Sequence, residues 1–347
     1  MSAPTRYLIL AEGFSGDRHY GKTMHGVLRY RRDDVVAILD SARAAGDTEQ
    51  GVPVVRSVAE ALRYEPTTAL VGVATQGGRF PPAWLEILRQ CVEDRIGIEN
   101  GLHVFLNDDP ELRALAAERG VELRDLRRPP ADLSTATGEN LSVPGKIVLT
   151  VGSDCAIGKM TVSLELDLET RRRGVASVFV PTGQTGIAIA GWGIAVDAVV
   201  ADFIAGAAER LLVEGSHRGG GTPEQVLWVE GQGSLVHPVY SGVTLGLFHG
   251  SVPHTLVLCH ESGVTEIEGA GGGPHPIPSL RELVDLHERM SLPARRATVA
   301  AVALNTRRLD DAAAREAVAA AEAETGLPAD DPVRFGAGKL VDAILAT

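Results

Sequence analysis

An α/β protein built from two successive parallel-sheet domains is predicted by three observations. Short apolar runs alternate with helix-periodic stretches along nearly the whole chain, the pattern of repeated strand–helix–strand units. That rhythm breaks once, near residues 127–145, where turn formers dominate. Directly beyond the break, a glycine-rich loop closes one apolar strand and opens a helix.

The first run, Arg6-Tyr7-Leu8-Ile9-Leu10-Ala11-Glu12-Gly13, reads as a buried strand ended by glycine. A helical stretch at 21–31 and a second strand at 35–39 follow, and Gly21-Lys22-Thr23 is read as the start of that helix. Apolar runs at 69–74 and 97–102 alternate with helical patterns at 82–93 and 109–119. Residues 1–130 are therefore assigned to an N-terminal Rossmann-like domain. The turn-rich stretch at 131–145, with Ser134-Thr135-Ala136-Thr137-Gly138, is the expected linker. Residues 146–347 form the second domain. It begins with the strand Lys146-Ile147-Val148-Leu149-Thr150-Val151 and a helix at 159–173, stopped by Gly174. Further strands are expected at 176–180, 225–229, 255–259 and 298–304, and helices at 196–213 and 310–325. The run Gly269-Ala270-Gly271-Gly272-Gly273-Pro274 is expected to be a flexible loop reaching 278.

The chain has 347 residues, with Lys+Arg 33 against Asp+Glu 45 and a formal net charge of −12. A field of that sign repels polyphosphate, so no nucleic acid is expected as partner, and any anion must be captured locally. Aromatics are only 4%, too few for base-stacking platforms. Cys91, Cys155 and Cys259 are odd in number and scattered, which fits a reducing cytoplasm and gives no metal-ligand spacing. No basic segment followed by a long apolar stretch opens the chain, and no membrane span is expected.

The sharpest signal is Gly152-Ser153-Asp154-Cys155-Ala156-Ile157-Gly158-Lys159-Met160-Thr161, between predicted strand and predicted helix. This is the context of a P-loop. Glycines let consecutive N–H groups turn toward phosphate oxygens, the helix N-terminus adds partial positive charge, and Lys159 adds a full one. The second domain is thus expected to be a P-loop NTPase-like parallel-sheet domain. Five residues separate its glycines where four are usual, and Met160 replaces the hydroxyl residue that ligates magnesium in triphosphatases. Thr161 stands one residue later.

Residues just after the other strands are the next candidates, because ligands gather at the carboxyl ends of parallel strands. Pro181-Thr182-Gly183-Gln184-Thr185-Gly186 and Glu230-Gly231-Gln232-Gly233-Ser234 are small and polar, and both read as flexible loops. Glu230 is a candidate general base or metal-associated carboxylate; His237 is the preferred histidine among His237, His249 and His260. Gln184 and Gln232 are placed to orient substrate carbonyls, with Thr182 and Ser234 beside them. Asp197 is the favoured carboxylate of the 196–213 helix over Asp202. In the first domain Gln76-Gly77-Gly78-Arg79 follows a strand, and Arg79, with Arg18 and Lys22, is a candidate carboxylate ligand.

The P-loop resembles that of dethiobiotin synthetase, which shares the five-residue spacing, and Asn305 resembles that enzyme's base-proximal asparagine. A closer resemblance, over nearly the whole chain, is to the family of unknown function DUF1611. It is carried by Pro181–Gly186, Gly191-Trp192-Gly193-Ile194-Ala195-Val196-Asp197-Ala198, Glu230–Ser234 and Tyr240-Ser241-Gly242-Val243-Thr244-Leu245-Gly246. The family includes D-glutamate N-acetyltransferases working beside an epimerase-type partner. The resemblance implies acetyl-CoA as cofactor, with its phosphates on the P-loop and Asn305, a D-amino acid as small-molecule substrate, and Glu230 or His237 as base. The rival implied by dethiobiotin synthetase is a ligase or kinase using ATP or GTP with magnesium. Small-residue helices fit a homo-oligomer.

Overall fold

The computed structural model describes residues 4–17, 20–74, 78–79 and 84–347. Arg18, Gln76, Gly77 and Pro82 of the sequence reading lie outside them. Two compact units emerge: Met1–Arg128 with Gln184–Ala198, and Pro129–Gly183 with Val199–Thr347.

The first unit holds seven strands among the described residues: β1 (Tyr7–Leu10), β2 (Val35–Leu39), β3 (Thr48–Glu49), β4 (Val52–Val55), β5 (Thr68–Val71), β6 (Gly97–Asn100) and β7 (Leu123–Asp125), in the order β3-β4-β2-β1-β5-β6-β7. All neighbours are parallel except β3 and β4. Helices α1 (Lys22–Tyr30), α2 (Val58–Ala61), α3 (Trp84–Glu93) and α4 (Pro110–Arg119) connect them. Asp109 caps α4, accepting from the N–H groups of Glu111 and Leu112.

The second unit carries a parallel sheet ordered β13-β12-β11-β8-β10-β9. Its strands are β8 (Lys146–Gly152), β9 (Ser177–Val180), β10 (Val226–Val229), β11 (Thr255–Glu261), β12 (Thr298–Asn305) and β13 (Ala329–Asp330). The central strands are apolar throughout, with Val148, Trp228, Val257 and Ala301 fully buried, as a sheet covered on both faces requires. The helices are α5 (Lys159–Arg172), α6 (Gln184–Ala190), which belongs to the first unit, then α7 (Ile204–Arg218), α8 (Ser241–Ser251), α9 (Leu280–Arg289), α10 (Asp311–Thr325) and α11 (Gly338–Leu345).

Two expectations need correction. The helix predicted at 196–213 is two short 3₁₀ turns, Val196–Ala198 and Ala201–Phe203, before α7 begins at Ile204. The chain passes from the first unit to the second between Ala198 and Val199, and Asp197 is drawn onto Arg127, so no continuous helix forms. The 181–186 stretch is not a flexible loop, because α6 starts at Gln184 and buries Ile187 and Ala188 against Met24 and Val27 of α1.

The turn-rich segment at 131–145 is pinned by Glu209 of α7. Its carboxylate accepts from Thr137 N at 2.7 Å, Thr137 Oγ1 at 3.0 Å, Gly138 N at 2.8 Å and Asn140 N at 3.3 Å. Burial pushes this carboxyl up, and the backbone and side-chain hydrogen bonds outweigh it, holding it below the ordinary range. Glu209→Ala is expected to lower the unfolding free energy in urea by about 2 kcal/mol at neutral pH, since three N–H groups lose their acceptor. Because the folded pKa is depressed, the difference between the proteins should shrink as pH falls through it; a pH-independent difference would count against the assignment.

Candidate functional site

Strand β8 ends at Gly152, and the loop to α5 is a backbone cradle. Ala156 (φ 54°) and Gly158 (φ 111°) are left-handed on either side of Ile157, an alternation that turns successive N–H groups toward one point. Among the described residues, nothing accepts from the N–H groups of Ala156 through Thr161. Lys159 is 6% exposed and donates from Nζ to the carbonyl of Asp154 at 2.6 Å. Burial pushes its ammonium down from the ordinary lysine value, against the opposing influence of Cys155, Cys259, Asp154 and Glu230. The loop therefore presents a buried lysine and undonated N–H groups together, a combination that can hold an anion.

Glycines make this geometry possible. A Cβ on Gly152 would lie 2.7 Å from Ile157 Cδ1, and one on Gly231 would lie 1.8 Å from the carbonyl oxygen of Thr150. Thr150 Oγ1 accepts from Gly231 N at 2.9 Å, so the end of β10 lies against β8 and the Lys159 stem. Ser153, fully buried, hydrogen-bonds His260 Nδ1 at 2.9 Å, and burial lowers the pKa of that imidazole. Asn305, at the end of β12, donates to the carbonyl of Ile157 at 3.2 Å, bracing the loop from the side. Met160 and Thr161 are half-buried in the first turn of α5.

The sequence-named side chains after β9 and β10 do come together. Glu230 is 4% exposed and accepts from Thr182 N at 2.9 Å and Gly183 N at 3.1 Å. Thr182 Oγ1 donates to the Glu230 carbonyl at 2.6 Å and accepts from Gln232 Nε2 at 3.2 Å. The Glu230 carboxylate is thus engaged in holding a strand end. Ser234 is buried and accepts from Val236 N.

Asp154, Cys155 and His237 place one ligating atom each within 4.8 Å of one another, which the cysteine spacing does not announce. Asp154 accepts from Cys155 N at 2.6 Å and from Glu268 N at 2.9 Å. His237 Nδ1 accepts from Val239 N at 3.1 Å, which leaves the proton on Nε2, 3.3 Å from the Glu268 carbonyl and 3.9 Å from Asp154 Oδ1. An imidazole in that tautomer offers a hydrogen-bond donor at Nε2.

In the first unit, Arg127 binds the Gly101 carbonyl at 2.7 Å, Gln184 Oε1 at 2.8 Å and the carboxylate of Asp197. The arginine side chain is 9% accessible and that of Asp197 29%. Arg79 is exposed. Asp40, at the end of β2, accepts from Gly13 N, Ser15 N and Ala42 N, so this carboxylate serves the loop after β1.

Residues 39–129 match a Rossmann-like domain of unknown function, DUF1611_N, and residues 134–341 match the P-loop domain DUF1611_C. The chain belongs to the DUF1611 family. A relative named D-glutamate N-acetyltransferase, from Tritonibacter scottomollicae, is 40% identical over 80% of this chain and 81% of its own length. A second of the same name, from a Pseudoalteromonas species, is 36% identical over 84% and 83%. The crystal structure of a DUF1611 family protein from Anabaena variabilis superposes with a TM-score of 0.90 at 41% identity, covering 99% of this chain and 100% of that one. The expected fold, Rossmann-like followed by P-loop, is borne out for this DUF1611 chain. Among the described residues no helix is long and apolar enough to cross a membrane.

The sequence reading missed Glu261, Arg307 and Arg308, although Arg307-Arg308 stands two residues beyond Asn305, which it had reached. A doublet of arginines just past a strand end, in an acidic DUF1611 chain, is the signal that marks them.

Proposed function

We propose that this protein is an N-acetyltransferase that moves an acetyl group from acetyl-CoA to the amino group of D-glutamate or a closely related D-amino acid. The observation that carries the cofactor choice is the loop 152–161: it has the buried lysine and free N–H groups that a diphosphate needs, yet Met160 where a magnesium-ligating hydroxyl would stand. The names of the two relatives support the reaction and the amino acid. Gly152 to Thr161 would hold the phosphates, with Asn305 bracing the loop; His237 adds an N–H donor beside it.

Coenzyme A supplies an acetyl thioester at the far end of the pantetheine arm, roughly 15 Å of chain from the pyrophosphate by ordinary bond lengths. Groups touching the 152–161 loop therefore bind phosphate, and His237 acts there as a donor. Glu230, Thr182 and Gln232 fix the adjoining strand ends through the bonds described above, and Ser234 lies within the same loop. In the first unit, Arg127 donates to both Gln184 and Asp197, and this set of opposite charges suits the ammonium and carboxylate of an amino acid. Arg79 supplies a further surface cation. The proposal keeps an epimerase-type enzyme as functional partner and a homo-oligomeric assembly, although Gly246 and Gly250 of α8 are spent on close packing against Ile204 and Ala205 of the same chain.

Purified protein given acetyl-CoA and D-glutamate should release free thiol and form N-acetyl-D-glutamate in equal amounts. Thiol release no faster than without amino acid, across D- and L-amino acids, rejects the proposal. Magnesium-dependent ATP or GTP turnover driven by a carboxylate would assign a ligase or kinase instead.

A further inference from the structure

The carboxyl edge of β11 and β12 carries a charge cluster that the reading above leaves unused. Glu261, whose side chain is 4% accessible, pairs with two arginines at once. Arg307 reaches it through Nε at 3.1 Å and Nη2 at 2.9 Å, and Arg308 through Nε at 2.7 Å. The arginine side chains remain 56% and 60% accessible. Asn305 lies 3.5 Å from Glu261 Oε2 and 3.2 Å from the Ile157 carbonyl, so one side chain touches both this cluster and the phosphate loop.

Arg307 alone neutralises Glu261 with a two-pronged contact. Arg308 adds a second positive charge, in a chain of formal charge −12, and its two terminal nitrogens have no partner among the described residues. The turn that carries both arginines is held rigid from behind. Thr306 bonds Asp331 through N at 2.9 Å and Oγ1 at 2.6 Å, while Arg334 Nη2 donates to the carbonyls of Thr306 at 3.0 Å and Leu309 at 2.8 Å. A fixed turn presenting an unspent guanidinium fork is the arrangement that recognises a phosphate monoester. In the order β12-β11-β8, the turn lies two strands from the phosphate loop, roughly 10 Å by strand spacing. A phosphate one ribose away from a diphosphate in that loop falls within reach of an arginine side chain.

We propose that Arg307 and Arg308 bind the 3′-phosphate of coenzyme A and select it over the 3′-dephospho form and over nucleoside 5′-diphosphates. This inference rests on the acetyl-CoA reading. The test is a calorimetric titration of coenzyme A and 3′-dephospho-coenzyme A into the unaltered protein and into Arg308→Ala, in which Arg307 still pairs with Glu261. The unaltered protein should prefer coenzyme A by about tenfold or more, and Arg308→Ala should collapse that ratio. Arg308→Glu should invert it. Because each ratio compares two ligands on one protein, a loss of folded material cancels. Equal affinity of the unaltered protein for both ligands, or an Arg308→Ala variant that keeps the full ratio, overturns the inference. Acetyl transfer measured with both thioesters separates the two levels: equal KM values leave the acetyltransferase standing and overturn the selectivity, whereas coenzyme A binding without transfer overturns the acetyltransferase alone.

Discussion

On the proposed acetyl-CoA reading, Lys159→Met is expected to weaken coenzyme A binding by about a hundredfold or more, the value of a charge-assisted phosphate contact in a buried setting, while raising the melting temperature of the free protein. Both effects follow from one fact. Lys159 is 6% exposed, and the hydrogen bond of its ammonium in the free chain goes to the carbonyl of Asp154. Burial holds its pKa below the ordinary lysine value, so the free fold disfavours the protonated form and a bound anion would offset that. Methionine matches the stem in volume and removes that charge, and replacing a poorly compensated buried ion with an apolar isostere is commonly stabilising. The sign of the pH effect follows. Between the lowered folded value and the ordinary unfolded one, the unfolded chain binds the extra proton, so parent stability rises with pH across that window. The variant should lack that rise. Titration with coenzyme A and ligand-free melting curves across alkaline pH check all three; a variant that melts below its parent at neutral pH contradicts the account.

Strand β2 occupies residues 35–39 in both the sequence reading and the structure, and α10 starts one residue after Asp310, its expected first residue, which is its cap. Such elements are legible because an apolar run or a helical period with a cap is local information. Helix α8 is not legible in that way. Gly242, Gly246 and Gly250 lower its intrinsic propensity, and the helix exists because Gly246 and Gly250 admit Ile204 and Ala205 of α7. Nor does anything local announce that α6 leaves the second unit to join the first, since its stability comes from tertiary burial. The anion cradle was readable because it is made of backbone, with Gly158 and Lys159 fixing its shape. What Glu230 does with its carboxylate, and which nitrogen of His237 keeps the proton, depend on the N–H groups of Thr182, Gly183 and Val239, which no motif encodes. The Glu261 cluster joins residues 46 apart that meet only because β11 and β12 are neighbours.

The second large effect belongs to Gly231→Ala. The added methyl would sit 1.8 Å from the Thr150 carbonyl oxygen, 2.9 Å from its carbon and 3.0 Å from Lys159 Cδ. Thr150 cannot yield, because β8 is hydrogen-bonded to β10 on one side and β11 on the other. The end of β10 must move instead, which breaks the bond from Gly231 N to Thr150 Oγ1 and displaces the lysine stem. Overpacking against immovable backbone is expected to lower the unfolding free energy by about 3 kcal/mol or more, and on the proposed acetyl-CoA reading coenzyme A binding weakens in whatever protein remains folded. Gly242→Ala is the matching control: a Cβ there meets nothing within 4 Å, and at a helical position it should stabilise by about 0.5 kcal/mol. Urea unfolding of both variants decides the matter. If Gly231→Ala were as stable as Gly242→Ala, the end of β10 would not approach β8 as closely as Gly231 and Thr150 do here.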